Sequence, residues 1–598
     1  LSEHNRLEYL KLDKIVKREI RKDIRKYRSE QTKQIIESSK SIRKAKGNLN
    51  KGKKWMLATK SSEGKNITSR KNINNIVTDY YRDLYTSTVP SIPKIQVPNV
   101  TNVQVPRILN SEIRTAISEL KNGKTPGEDG IQNELLKLAE QQLTPIISII
   151  FNKILETETI PEQWKTSTIV LLHKKGTRDN INNYRPISLM SNLYKLFTKV
   201  LTRRITKVLD DNQPPEQAGF RTGFSTIDHL QTINQVIEKA EEFHLTLYIA
   251  FIDYSKAFDS IEHTSIIEAL TTQGIESKYI RILHAIYQES YAKVKTEIEG
   301  QPFRLRRGVR QGDPISPKLF TCVMEHIFRK MTWHENIGVN INGSRLTNLR
   351  FADDVVIFTE TPRDLQNILE QLCEHSKNAG LKLNKTKTQI MSNGPKIPIT
   401  IEGTTLTYVQ EYTYLGQQIS FQDKMEKEIQ RRITLAWKAF WALKFILLDH
   451  TLSRTIKFNT LEVCVYPVLL YGCQTWTLTS QLTNKIGICQ RKMQRKILGV
   501  TIRDRIPNTV LRQRAQATDI EQITTSKKWK WGGHVARLKD NRWTYKTTVW
   551  DPRIGKRTQG RPRRRWADLF KEHAGRQWSR LAGNRENWRC LGYQLCSE

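Results

Sequence analysis

Two adjacent aspartates, Asp353-Asp354, stand between β-forming arms at Leu346–Arg350 and Val355–Phe358. Paired charges in that setting fit where a hairpin turns at the end of a sheet. A second β run, Leu245–Ile252, is apolar, aromatic and β-branched and stops at Asp253. Adjacent strands of one sheet would therefore gather three carboxylates at one end. The segment 362–379 carries Leu365, Ile368, Leu369, Leu372 and Cys373 at helical spacing, which suits a helix lying against that sheet. The predicted fold class is α+β.

The chain has 598 residues, more than one hydrophobic core usually organises, so several subdomains are expected. Lys and Arg number 98 against 60 Asp and Glu, a net charge of +38, and so large an excess calls for a polyanionic partner. An anionic membrane would also attract it. No apolar run reaches the roughly eighteen residues that a membrane span needs, and Leu1–Tyr9 lacks the apolar core of a signal peptide. Nucleic acid is the expected partner, and no membrane. The seven cysteines are scattered without a CxxC pair, which reads as buried thiols in a reducing compartment. A start at Leu1 leads us to expect a fragment of a longer polyprotein.

Along the chain, residues 1–56 are rich in Lys and Arg with Leu7, Leu10, Ile15, Ile20 and Ile24 at helical spacing, predicting one or two helices with a basic face. Pro90, Pro93, Pro98 and Pro106 mark 86–106 as a linker. Residues 107–157 read as helices around a Gly-rich loop, Thr168–His173 as a strand, and 424–500 as mostly helical. The remainder, 501–598, is basic and contains tryptophans; residues 551–566 hold seven Lys or Arg against one Asp.

Converging aspartates suit nucleotidyl transfer, which uses two hard divalent cations about 4 Å apart bound by carboxylate oxygens. An isolated Asp-Asp turn is more often only a turn, so the argument rests on the ordered set. Phe351-Ala352-Asp353-Asp354 follows Phe251-Ile252-Asp253-Tyr254-Ser255-Lys256-Ala257-Phe258-Asp259 and Arg307-Gly308-Val309-Arg310-Gln311-Gly312-Asp313-Pro314. Around these lie Pro126-Gly127-Glu128-Asp129-Gly130, Tyr184-Arg185-Pro186, Gln217-Ala218-Gly219-Phe220-Arg221, Gly380-Leu381-Lys382-Leu383-Asn384 through Lys387, and Tyr412-Thr413-Tyr414-Leu415-Gly416. In this order the motifs resemble those of reverse transcriptases of non-LTR (LINE-type) retrotransposons, from residue 107 to about residue 440. Trp531-Gly532-Gly533-His534 and Gly560-Arg561-Pro562-Arg563-Arg564-Arg565-Trp566 more loosely resemble the tail of BovB/RTE-like or neighbouring lineages.

The resemblance implies a right-hand polymerase: a basic N-terminal extension and linker (1–106), fingers (107–244), palm (245–422), thumb (423–500) and a basic C-terminal nucleic-acid-binding region (501–598). It implies an RNA-directed DNA polymerase acting by target-primed reverse transcription, with template RNA, target or primer DNA and dNTPs as partners. Two Mg2+ ions, replaceable by Mn2+, would be held by Asp253, Asp353 and Asp354. Lys387 would protonate the pyrophosphate. Phe258 would exclude a 2′-hydroxyl, Gln311 and Gly312 would lie over the incoming nucleotide, and Arg185 with Lys174 or Lys175 would reach its triphosphate. Tyr414, Leu415 and Gly416 would form the primer grip, and Arg561, Arg563, Arg564, Arg565 and Trp566 would contact nucleic acid, the tryptophan by stacking on bases. Integration would be nuclear and RNA assembly cytoplasmic, with the endonuclease upstream. Group II intron-type reverse transcriptases share the palm motifs, and a domesticated, non-catalytic RNA-binding protein is a competing class.

Overall fold

The computed structural model describes residues 3–39, 56, 58–60, 65–88, 105–552, 559–560 and 563–597. The chain divides into two compact units, neither continuous in sequence. One comprises Leu1–Lys54, Gly416–Lys539 and Thr558–Glu598; the other comprises Trp55–Leu415 and Asp540–Arg557. Among the described residues, no helix is long and apolar enough to cross a membrane.

The larger unit is built on two sheets. In the first, strands run in the order Asn348–Phe351, Asp354–Thr359, Tyr248–Ile252, Gln389–Ser392, Thr407–Tyr408, antiparallel except for the last pair. All of Tyr248–Ile252 is buried, as is Asp354–Thr359 after its first residue. That explains why these runs are continuously apolar rather than alternating: elements cover both sheet faces. Helix Pro362–Asn378 turns Leu365, Ile368, Leu369 and Leu372 into this core, as its spacing predicts. Thr361 starts it by accepting the Asp364 amide on its hydroxyl.

The second sheet orders Tyr184–Leu189, Thr166–His173, Tyr291–Lys295 and Phe303–Arg304. Here the N-terminal expectation needs correction. Helix Arg70–Leu84 is no part of a detached extension: Ile73, Val77 and Tyr81, four residues apart, share one core with Ile169, Val294 and Phe303 of this sheet. Asn74 Nδ2 donates to Thr296 Oγ1 at 2.8 Å and to the Ile298 carbonyl at 2.9 Å. Most of the expected linker lies outside the described residues. Of the basic helical stretch predicted before it, the described residues form helix Glu3–Ser39, with Leu10, Ile15, Ile20 and Ile24 exposed; residues 40–55 lie outside the described residues.

In the smaller unit, helices Lys424–Ala442, Ser480–Leu498 and Ile520–Ala536 bury Ile429, Phe440, Trp476, Met493 and Ile520 together. A second core gathers Trp529, Trp566, Phe570, Trp578 and Trp588. The Trp529 and Trp588 rings stack at 4.1 Å and 10°. Each indole N–H donates to the other residue's carbonyl, at 2.8 and 2.9 Å, so both polar atoms are satisfied inside the core. The glycines of Trp531-Gly532-Gly533-His534 make room for these rings. A Cβ on Gly533 would stand 2.4 Å from the Trp588 ring, and one on Gly532 would stand 2.5 Å from Phe570. His534 is exposed and leans on Trp531 at 5.1 Å.

Trp566 was expected to stack on unpaired bases. It is instead fully buried, and its indole donates to the Gln474 carbonyl at 2.8 Å. Composition shows a tryptophan beside arginines; it does not show which side of the chain is covered. We expect Trp566→Ala to cost about 3–5 kcal/mol of stability, as truncating a buried aromatic does, measured by denaturant titration with and without RNA. Undiminished stability combined with weakened RNA binding would restore the stacking role.

Candidate active site

The site follows from strand register. Strand Asp354–Thr359 pairs with Tyr248–Ile252 so that Val355 faces Ile252; one step further along the antiparallel ladder, Asp354 comes opposite Asp253. On its other side Asp354 pairs with Phe351, leaving Ala352 and Asp353 as a two-residue turn. Ala352 has φ 60°, the positive value that such turns require at their first central position. All three aspartates thus stand at one end of one sheet.

Their electrostatics bear this out. Asp354 reaches solvent, yet the protein mass around it, followed by the charges of Asp353 and Asp253, pushes its carboxyl up to about 6. The carboxyl of half-buried Asp353 is raised by burial and then by Asp253, with Lys174 and Arg185 pulling the other way. The charge of Asp253 thus opposes ionisation of both neighbours, and the three carboxylates supply hard oxygens of the kind a divalent cation takes. Among the described residues, no three or more His, Cys, Asp or Glu side chains are gathered into a ready metal cage. Lys387 Nζ instead lies 3.2 Å from Asp253 Oδ2. The Asp253 backbone is pinned as well: its carbonyl accepts the Asn384 amide at 2.7 Å, and its N–H donates to Thr388 Oγ1 at 3.3 Å.

Around this cluster the other expected residues take unequal places. Lys174 and Lys175 are both exposed beyond strand Thr166–His173, but it is Lys174 whose charge acts on Asp353 and Asp354. Arg185, across the ladder from Leu172, is exposed and acts on Asp353. Phe258 stacks on Phe320 at 4.4 Å and 5° and meets Phe220 edge-on at 6.1 Å, so its ring is held on two sides. The Gln311 carbonyl accepts the Ser188 amide at 2.8 Å. At Gly312, φ is 118° and a Cβ would come within 3.0 Å of the Ser188 carbonyl; glycine is needed there by the neighbouring strand.

In the Tyr414-Leu415-Gly416 turn the Tyr414 ring is buried, with its hydroxyl 3.2 Å from His229 Nδ1. Only the turn itself can face a ligand: Leu415 at φ 43°, half-buried, and Gly416 at φ 81°, exposed. Arg563 and Arg564 are exposed, and Arg564 is paired with Glu572 at 2.8 Å. Arg565 is half-buried, and Arg561 lies outside the described residues.

Three residues in the quoted motifs do more than the sequence signalled. Gln311 Nε2 donates to both Asp259 carboxylate oxygens at 2.9 Å, and the Tyr85 hydroxyl donates to Asp259 Oδ1 at 2.9 Å. A carboxylate within an otherwise apolar helix start was the available clue to Asp259; nothing local pointed to Tyr85. Buried Gln217 accepts the Gly219 and Ala352 amides on Oε1, at 2.8 and 3.2 Å, and so braces the turn that carries Asp353. Beneath that turn, Arg350 and Glu325 form a buried ion pair at 2.9 Å.

The model for reverse transcriptase (RNA-dependent DNA polymerase) matches residues 172–419. A transposon-derived protein of Caenorhabditis elegans is 34% identical over 269 residues, covering 42% of this chain and 96% of that protein. The chain belongs to the reverse transcriptase family. Two Drosophila melanogaster proteins also match. One, named as an RNA-directed DNA polymerase from transposon BS, is 27% identical over 64% of this chain; the other, a Pol polyprotein from the type-2 retrotransposable element R2DM, is 30% identical over 57%. The chain spans 44% and 33% of their respective lengths. Among solved structures, an apo telomerase from Candida Tropicalis truncated from its C-terminal domain superposes at a TM-score of 0.31 with 14% identity, over 49% of this chain and 60% of that one, too loose a likeness to bear weight.

Burial raises the Asp259 carboxyl to about 6, against the pull of Tyr85, Gln311, Lys256 and Arg185. The folded chain therefore holds this proton to higher pH than the unfolded one, where an aspartate releases it near about 3.9. The group favours folding at low pH, and its contribution is lost as the pH climbs to about 6. D259N has no such proton to lose. It should gain stability relative to the unsubstituted chain across that window, by at most on the order of 1.4 kcal/mol per pH unit. Urea midpoints measured at several pH values check this, and a pH-independent difference would contradict it.

Proposed function

We propose that this chain is the RNA-directed DNA polymerase of a non-LTR retrotransposon, extending a DNA 3′ end along the element's RNA. The observation that carries the reading is the strand register that brings Asp253 opposite Asp354, with Asp353 in the adjoining turn. Two divalent cations, Mg2+ or Mn2+, bound by these three carboxylates would supply charge stabilisation for the attacking hydroxyl and the triphosphate. Lys174 and Arg185 bind triphosphate oxygens, and Arg185 offers a planar fork suited to them. Phe258, fixed against Phe320 and Phe220, presents an immobile ring to the sugar, so a 2′-hydroxyl clashes. The Asp259 carboxylate fixes the Gln311 amide beside the nucleotide. Lys387, already hydrogen-bonded to Asp253, donates the proton that leaves with pyrophosphate.

In right-hand terms, the sheet bearing the aspartates is the palm, the sheet containing Thr166–His173 belongs to the fingers, and the helices after residue 423 form the thumb. A thumb helix tracks the product duplex through phosphate and sugar contacts. Initiation is by target priming: a nick in chromosomal DNA supplies the 3′ hydroxyl, which places integration in the nucleus and assembly with RNA in the cytoplasm. The exposed Arg563 and Arg564 add to the charge that holds RNA. The lineage is BovB/RTE-like or a neighbouring one, on the likeness of the Trp531-Gly532-Gly533-His534 and Gly560-Arg561-Pro562 motifs.

Primer extension on an RNA template with dNTPs and Mg2+ tests the reading. Asp353→Ala with Asp354→Ala should lower synthesis by about 1,000-fold or more, the several kcal/mol expected when charge stabilisation is lost. No synthesis by the intact chain despite tight RNA binding would instead favour a non-catalytic RNA-binding protein. In the same assay Lys174→Ala should raise the KM for dNTP about 10- to 100-fold, as loss of a charged hydrogen bond does, and Lys175→Ala by less than about 3-fold. Equal effects would remove the distinction between the two lysines.

A further inference from the structure

Residues 540–552 lie far along the chain from the polymerase motifs and within a tail whose basic character suggests nucleic-acid contact. The structure folds them into the same unit as the active site. Helix Trp543–Val549 packs on helix Thr226–Phe243, with Trp543, Thr544 and Thr547 buried. Its contacts converge on the loop preceding that helix. The Trp543 indole donates to Glu216 Oε1 at 2.8 Å. Arg542 lies 3.7 Å from the centre of the Phe224 ring, donates to the Gly223 carbonyl at 2.6 Å and faces Asp228 Oδ1 at 3.5 Å; Thr544 Oγ1 donates to the same oxygen at 3.2 Å. Both ends of the loop 216–225 are thereby held, by side chains removed from water.

That loop is also the backing of the catalytic turn. The Glu216 carbonyl accepts the Arg350 amide at 2.8 Å and the Arg350 carbonyl accepts the Ala218 amide at 2.9 Å, a bridge alongside the strand that leads into Asp353. Gly219 approaches so closely that a Cβ would stand 2.3 Å from the Ala352 nitrogen. Phe220, next in the loop, shoulders Phe258.

We propose that residues 540–552 are a clasp belonging to the polymerase core: Trp543 and Arg542 are positioning residues that hold loop 216–225 against the Ala352-Asp353 turn and so set the geometry of the catalytic carboxylates. Their effect on synthesis rests on the polymerase reading; their effect on the loop does not. The clasp acts through an indole-to-carboxylate hydrogen bond, so W543F, which keeps the ring and loses the donor, and E216A, which loses the acceptor, should behave alike.

The test uses the full chain. W543F and E216A should each lower kcat for primer extension about 5- to 30-fold, the effect of one buried hydrogen bond, with the dNTP KM and RNA affinity changed less than about 2-fold. The double variant should be no slower than either single one. E216Q keeps an acceptor oxygen and should restore most of the rate. Amide hydrogen exchange supplies a second readout that needs no activity: in W543F, Ala218 and Ala352 should exchange at least about 5-fold faster while Ile249–Phe251 are unaffected. A W543F chain with unchanged kcat and unchanged exchange at those two amides overturns the clasp, as does acceleration spread evenly over the whole unit. If the intact chain makes no DNA, the functional reading falls while the exchange measurement still decides the clasp.

Discussion

The pairing of strand Asp354–Thr359 with Tyr248–Ile252 is the constraint on which the site depends. A slip of one residue would send every side chain to the opposite face and carry Asp354 away from Asp253. Close packing resists that slip, because Val355, Val356, Ile357 and Phe358 are all buried and differ in size, so each would enter a space shaped for another. The hydrophobic core thus acts as a ruler for the chemistry. Its cost is visible in the raised carboxyls of Asp353 and Asp354, which are gathered where burial and the charge of Asp253 make ionisation harder.

Around that fixed end, the elements are tied by polar contacts rather than by more apolar area. Gln217 braces the turn, Arg350 and Glu325 lie beneath it, and Asp259 links Gln311 to Tyr85. Gln217 Nε2 and Arg350 Nε are buried without a hydrogen-bond partner among the described residues, whereas Gln217 Oε1 and the Asp259 carboxylate are buried acceptors with donors, the condition under which such groups add specificity of arrangement at little loss of stability. They explain how a positive-φ alanine can be kept in place: the Ala352 amide is held by Gln217 Oε1 while Gly219 closes over it.

How much of this was legible depended on the range of the interactions. The strand runs, the hairpin and helix Pro362–Asn378 were readable because their signals are local: β-branched runs, an acidic turn, apolar residues at helical spacing. The family followed from the order of the motifs. Where the reading failed, the decisive partner was distant. Trp566 looked like a base-stacking residue because its neighbours are arginines, whereas its burial depends on Phe570, Trp578 and the Gln474 carbonyl. Helix Arg70–Leu84 looked like part of an extension because the sheet it covers begins at Thr166. Lys174 and Lys175 are indistinguishable in sequence, and only the fold shows which charge is felt by the aspartates.

The discontinuity of the larger unit has a consequence for how the protein is made. Trp543 and Glu216 are 327 positions apart, so a chain emerging from the ribosome exposes the whole sheet long before the helix that packs on Thr226–Phe243 is synthesised. At about 5–20 residues per second, that interval lasts on the order of tens of seconds. A nascent or prematurely terminated polypeptide therefore has the catalytic motifs without the finished core until helix Trp543–Val549 has been synthesised.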